Sequence, residues 1–257
     1  MKKIKKFLLT MAMTMALGTS AFAASGFEFL LQLAGGINVA IPNKETKDVF
    51  SEIKGKLGGG FGVDAQIGYM FQVKEGFGIS ALAELGYSMD GYIIGYGENV
   101  IGSITVGGNT TYNADGSLEI SQSYHNFKVG LLPKFNIGFG GRHGLAIGIG
   151  GGVKIPLAGR SVTEMTIAAQ NATTREGLEY KDDIKLKRQD IVDLYSPSVI
   201  GYMKVTFDYY LFFTDNIGMN FGLYLGGDFG PKTKLTKQAI NAFDFGLQLG
   251  FRFGPKA

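Results

Sequence analysis

The sequence predicts an all-β chain, an eight-stranded antiparallel up-and-down transmembrane β-barrel with short turns at one end and long loops at the other. Three observations predict it. The first is the closing stretch Asn241 to Phe253, where every odd position from 243 to 253 is Phe or Leu and the even positions from 244 to 252 are Asp, Gly, Gln, Gly and Arg. Strand side chains alternate between two faces, so this segment has one apolar face and one polar or bare face. Its length suits a tilted strand crossing a bilayer, about 9–11 residues. The second observation is that this pattern recurs along the chain. The third is that the connections alternate between short and long.

The elements follow in order. Residues 1–23 read as a cleaved secretory signal peptide. Lys2, Lys3, Lys5 and Lys6 form a positive start, Phe7 to Leu17 is mostly apolar, and Ala21-Phe22-Ala23 is a small-x-small cleavage site. Four of the 25 basic residues and none of the 22 acidic ones lie there, leaving 21 against 22 in residues 24–257. That near-neutral balance gives no warrant for a nucleic-acid partner. The chain has no Cys, which excludes disulfides, thiolate metal sites, Cys nucleophiles and a lipidated Cys. Residues 24–257 are expected to form a single barrel domain, and no apolar run in them approaches the ~20 residues of a spanning helix.

Period-two segments are predicted at Phe27–Ile41, Phe61–Val73, Phe77–Ile93, Ser123–Phe139, Gly144–Leu157, Ser198–Phe213, Ile217–Gly227 and Phe243–Phe253. Lys74-Glu75-Gly76, Gly140-Gly141-Arg142-His143 and Thr214-Asp215-Asn216 are hairpin-length turns. Residues 42–58, 94–122, 159–197 and 228–241 are the long, polar links. This layout puts the short turns and both chain ends on the periplasmic side and the long loops outside. Pro133 lies mid-strand and cannot donate to a ladder, so a bulge or a shifted register is expected there.

Which face looks outward is decided by glycine. The non-apolar face holds Gly62, Gly68, Gly86, Gly130, Gly148, Gly152, Gly222 and Gly246, among others. A solvated strand face has no reason to select glycine, whereas the narrow lumen of an eight-stranded barrel needs small residues. The same face carries Glu28, Asp64, Glu84, Asp208 and Asp244, with Lys128, Lys134, Lys154, Lys204 and Arg252 of opposite sign. These ten are candidates for ion pairs filling the lumen, because buried charges must be paired.

With these residues in place, the chain resembles the small eight-stranded outer-membrane β-barrel proteins, the group of the OmpA membrane domain, OmpX and OmpW. Phe243, Phe245, Leu247, Leu249, Phe251 and Phe253 resemble the C-terminal β-signal read by the barrel assembly machinery, although Gly254-Pro255-Lys256-Ala257 follow where the family ends on its aromatic residue. The resemblance implies location in the outer membrane of a diderm bacterium, with lipid and the assembly machinery as partners. It implies a structural or adhesion-type protein acting on host or envelope partners through its loops, or alternatively a narrow channel for small or hydrophobic solutes.

Enzymatic chemistry has little to build on, and the chain is read as a non-enzyme without catalytic residues, metal or cofactor. Of two histidines, His143 lies in a turn and His125 stands near Ser121 and Ser123, the one conceivable catalytic grouping. Glu176, Glu179, Asp182, Asp183, Asp190 and Asp193 match no calcium-loop spacing. Gly58 to Gly62 and Gly148 to Gly152 lack the helix and Lys of a phosphate loop. Lys181 to Tyr195 has weak helical spacing and could form a short helix or a strand extension.

Overall fold

The computed structural model describes residues 25–49, 53–106, 110–170 and 175–257. The leader lies outside the described residues. Among the described residues there are ten strands: β1 (Gly26–Pro42), β2 (Lys54–Lys74), β3 (Phe77–Val106), β4 (Thr110–Leu131), β5 (Lys134–Phe139), β6 (His143–Gln170), β7 (Arg175–Lys187), β8 (Ile200–Phe212), β9 (Ile217–Phe229) and β10 (Ile240–Phe253). Two short helices, α1 (Lys44–Val49) and α2 (Arg188–Leu194), lie in the long connections. Each strand pairs antiparallel with its neighbours, and β10 pairs back onto β1 from Phe29↔Phe253 to Pro42↔Ile240. Because β4 and β5 form one wall, the ring has eight walls and no open edge.

The three turns are short, as their residues dictate. Gly76 (φ 73°), Gly140 (φ 60°) and Gly141 (φ 71°) adopt the left-handed backbone that tight turns require. Both ends of the described chain lie beside these turns: Gly26 faces Met70, and the Gly254 N–H donates to the Asn216 carbonyl at 2.9 Å.

Pro133 is accommodated differently from expectation. There is neither bulge nor register shift: Ala83↔Leu131 and Ser80↔Lys134 are in one register, and so are Leu131↔Gly151 and Lys134↔Gly148. Only the bond that Pro133 cannot donate is missing, and it divides the wall into β4 and β5. The flanking groups stay in the ladder, with the Leu132 N–H donating to Leu82 O (2.9 Å) and Ile149 N–H to Pro133 O (3.1 Å). The irregularity of this wall lies higher up, where His125 faces Ala158 but Asn126 faces Pro156.

Two of the long links are also not loops. Residues 94–106 and 110–122 continue β3 and β4 upward as a pair, and the third link contains the upper half of β6, all of β7 and α2. Up to Lys154, β6 pairs with β8; from Ala158 to Gln170 it leaves the ring and takes β7 as its neighbour. The result is a four-stranded sheet, β3-β4-β6-β7, rising from one side of the barrel. The mixed pattern of residues 181–195 is thereby resolved into two elements, strand to Lys187 and helix from Arg188, with the Asp190 carboxylate accepting the Lys187 N–H at 2.8 Å. On this sheet Arg160 makes a two-pronged pair with Asp183 and holds its carboxyl below the usual range.

Candidate functional site: a filled lumen beneath an apolar cap

The outer surface of the ring is greasy. Leu33 (61% exposed), Leu131 (66%) and Leu247 (66%) are typical, and Phe243, Phe245, Leu249 and Phe251 lie on the same outward face. Phe253 packs against Phe29 with ring centroids 6.0 Å apart and the rings tilted by 32°. A continuous apolar band of this kind exceeds by far the patches that water-exposed monomers carry, and hydrocarbon is the solvent it suits. Near the short turns His143 lies between Phe139 and Tyr209, with its Nδ1 2.6 Å from Tyr209 Oη. Toward the other end His125 Nδ1 is 2.5 Å from Tyr87 Oη. Both histidines therefore face outward in aromatic settings, and His125 is engaged by a tyrosine rather than by Ser121 or Ser123.

The inside is polar and crowded. Nearest the turns, Arg252 donates to Glu28 (2.6 Å), Asn136 Oδ1 (3.0 Å) and Pro255 O (3.3 Å), and stacks 4.5 Å from the Tyr210 ring. Gly254 to Ala257 are half-buried: this tail tucks under the ring and helps to close it.

The next layer centres on Asp208, which is 1% exposed. It accepts from Lys134 (2.8 Å) and Thr206 (3.3 Å) at one oxygen, and from Asn220 (3.0 Å) and Gln248 (2.6 Å) at the other. Above it, Glu84 accepts from Lys204 (2.5 Å), Tyr202 (2.8 Å) and Gln66 (3.0 Å), with Lys128 at 3.3 Å and bridging on to Asp64 at 2.6 Å. The uppermost layer holds Lys154 between Asp90 (3.1 Å) and Asp228 (2.7 Å), and Tyr92 Oη also donates to Asp228 (2.6 Å).

The structure thus brings nine of the ten sequence candidates into ion pairs and leaves one out. Asp244 has no cationic partner within 4 Å among the described residues, because Lys154, the nearest candidate layer, is taken by Asp90 and Asp228. Those two carboxylates went unnoticed in the sequence. Both sit at the polar parity of their strands: Asp90 lies inside the predicted segment Phe77–Ile93 and was passed over, and Asp228 lies one residue beyond Ile217–Gly227.

Glycine explains how so many long side chains fit. A Cβ on Gly130 would stand 2.1 Å from Tyr202 Oη, and one on Gly222 would stand 2.3 Å from Asp208 Oδ1. The space between the upper layers is a cavity of about 50 Å³, bordered by Asp64, Asp90, Asp228 and Asp244 with Lys128, Lys154 and Lys204. That is room for a few waters and not for an organic solute.

Above Lys154 the chemistry changes. Tyr92, Ile94 and Tyr124 of the wall pack with Ile53 and Ile200, and onto them come Leu186 of β7, Ile191 of α2 and Tyr195 just after it. Ile191 is fully buried. Arg188 anchors the helix from below by donating to Ser198 O (2.7 Å) and Pro156 O (3.2 Å). The mouth is covered by an apolar cap made of the chain's own third long connection. Replacing Ile191 with Ala is expected to loosen this cap by about 2–5 kcal/mol while leaving the ring intact. Limited proteolysis should show faster cleavage between residues 175 and 199, with unchanged heat-dependent gel mobility of the barrel.

The six clustered acids of the third connection do not converge. Asp183 pairs with Arg160, Asp190 caps α2, and Asp193 accepts from Gln189 (3.0 Å). Among the described residues no group of His, Asp or Glu is arranged to hold a metal ion.

No protein-family model matches the chain, and no curated protein sequence matches it. Solved structures do. The attachment invasion locus protein Ail of Yersinia pestis is 11% identical, covers 90% of this chain and 100% of its own, and has a TM-score of 0.29. Neisserial surface protein A is 11% identical over 89% of this chain and 99% of its own, with a TM-score of 0.35. The outer membrane protease OmpT from Escherichia coli is 8% identical over 92% of this chain and 99% of its own, with a TM-score of 0.34.

Proposed function

We propose that this chain, after removal of residues 1–23, is an integral outer-membrane β-barrel protein that acts as a surface-interaction protein through its extracellular sheet. The observation that carries this reading is the closed axis: ionic layers from Arg252 to Lys154 fill the lumen, and Leu186, Ile191 and Tyr195 cover its mouth. A barrel with a filled axis offers a rigid base and no route. What it presents is the β3-β4-β6-β7 sheet above the membrane, and recognition is commonly carried by such projections from a rigid scaffold. In this orientation the short turns are periplasmic, Phe243 to Phe253 serve as the signal for the barrel assembly machinery, and host or envelope molecules are the partners.

The test is electrical and topological together. Purified, folded protein in a planar bilayer should give no discrete conductance steps, and protease added to intact cells should cut within residues 158–187. A stable conductance from heat-modifiable, folded protein would overturn the reading in favour of a solute channel. Protection of 158–187 on intact cells would overturn the orientation.

A further inference from the structure

β7 is bonded to β6 along one side, and among the described residues no strand lies along the other. An open edge is usually kept apart from other strands by unbalanced charge. The edge of β7 is ordered otherwise. From Leu178 to Leu186 it reads Leu-Glu-Tyr-Lys-Asp-Asp-Ile-Lys-Leu. Laid antiparallel against itself about Asp182, it sets Lys181 opposite Asp183, Tyr180 opposite Ile184, Glu179 opposite Lys185 and Leu178 opposite Leu186. One face of the pair then carries its apolar residues on either side of the two central Asp182 carboxylates, and the other carries four ionic contacts. Directly opposed residues of this kind are the unit that stabilises a sheet. Only Asp182 meets its own kind, at the centre.

We propose that this edge is a self-recognition surface, pairing antiparallel with the β7 edge of a second copy of this chain. Three features support a copy over an unrelated partner. Sliding the pair by two residues either way places Glu179 against Asp183 or Lys181 against Lys185, so the sequence selects one self-register. Glu179 and Lys185 have no ionic partner among the described residues and are exposed, so they are available to each other. Leu178 (75% exposed), Tyr180 (54%) and Ile184 (47%) are uncovered apolar residues on either side of Asp182 that the second copy would cover, while Leu186 at the end of this face is already buried in the cap. The two-fold axis lies across the sheet, so the second barrel is inverted. On cells this joins barrels in two facing membranes, a consequence that rests on the extracellular placement proposed above.

Because the chain has no Cys, Asp182→Cys introduces a single thiol on the two-fold axis. Folded D182C in detergent, treated with a short bis-maleimide, should yield a covalent dimer. Adding Lys185→Glu should lower the yield about tenfold, since it turns two attractive contacts into repulsive ones. Adding Glu179→Lys as well should restore it. Heat-dependent gel mobility verifies that each variant is folded. Absence of the dimer, or failure of the double exchange to restore it, would overturn self-pairing whatever the protein's location. With two differently tagged cell populations, mixed-tag dimers are expected; dimers of one tag alone would overturn the facing-membrane placement.

Discussion

Replacing Asp208 with Ala is expected to destabilise the barrel by about 3–5 kcal/mol, the cost of leaving a buried charge without its partner. Lys134 is 1% exposed and, among the described residues, Asp208 is its one carboxylate within 4 Å. Truncation also strips Asn220 and Gln248 of their shared acceptor. These groups lie inside a ring whose outer face is hydrocarbon, so the stranded ammonium has no bulk water to turn to. Urea unfolding in lipid vesicles, read by the fraction of heat-modifiable band, measures the loss. The double variant Asp208→Leu with Lys134→Met should recover a large part of it, because removing both charges removes the desolvation penalty too. A single variant as stable as the parent would mean that water reaches this layer freely.

Replacing Leu247 with Arg should cost about 2–4 kcal/mol, the range for a cation on the lipid face near the bilayer midplane. Leu247 is mid-strand in β10 and among the most exposed residues of the ring. The same substitution at Leu178, on the projecting sheet, should change stability by less than about 0.5 kcal/mol. The contrast is the point: both positions are exposed leucines, and only the surrounding solvent differs. Equal costs at the two positions would place them in the same medium and remove the membrane from the interpretation.

The orientation tested by these two variants was legible in the sequence because the two faces differ in kind. Phe and Leu recur at one parity and Gly, Lys, Asp and Glu at the other, and a closed ring has only an inside and an outside to assign them to. The turns were legible for a related reason, since Gly76, Gly140 and Gly141 supply backbone angles that other residues resist. Pro133 misled because its local chemistry forbids one hydrogen bond, and a bulge is the common remedy. The ring solves the problem by omitting that bond and keeping the register on both sides.

What the sequence by itself determined is the ring: strand number, alternation, the short-turn end, and most of the charges that point inward. These follow from a period of two and from turn chemistry, both of which act between near neighbours in the chain. Tertiary structure decided which charges meet, that Asp90 and Asp228 rather than Asp244 hold Lys154, that the upper parts of β3, β4 and β6 form a sheet with β7 above the ring, and that α2 covers the mouth. The physical reason is distance along the chain: Lys154 and Asp228 are joined across 74 residues, and Glu28 and Arg252 across 224. Such partners are chosen by strand register and tilt once the ring has closed, and no local pattern encodes them.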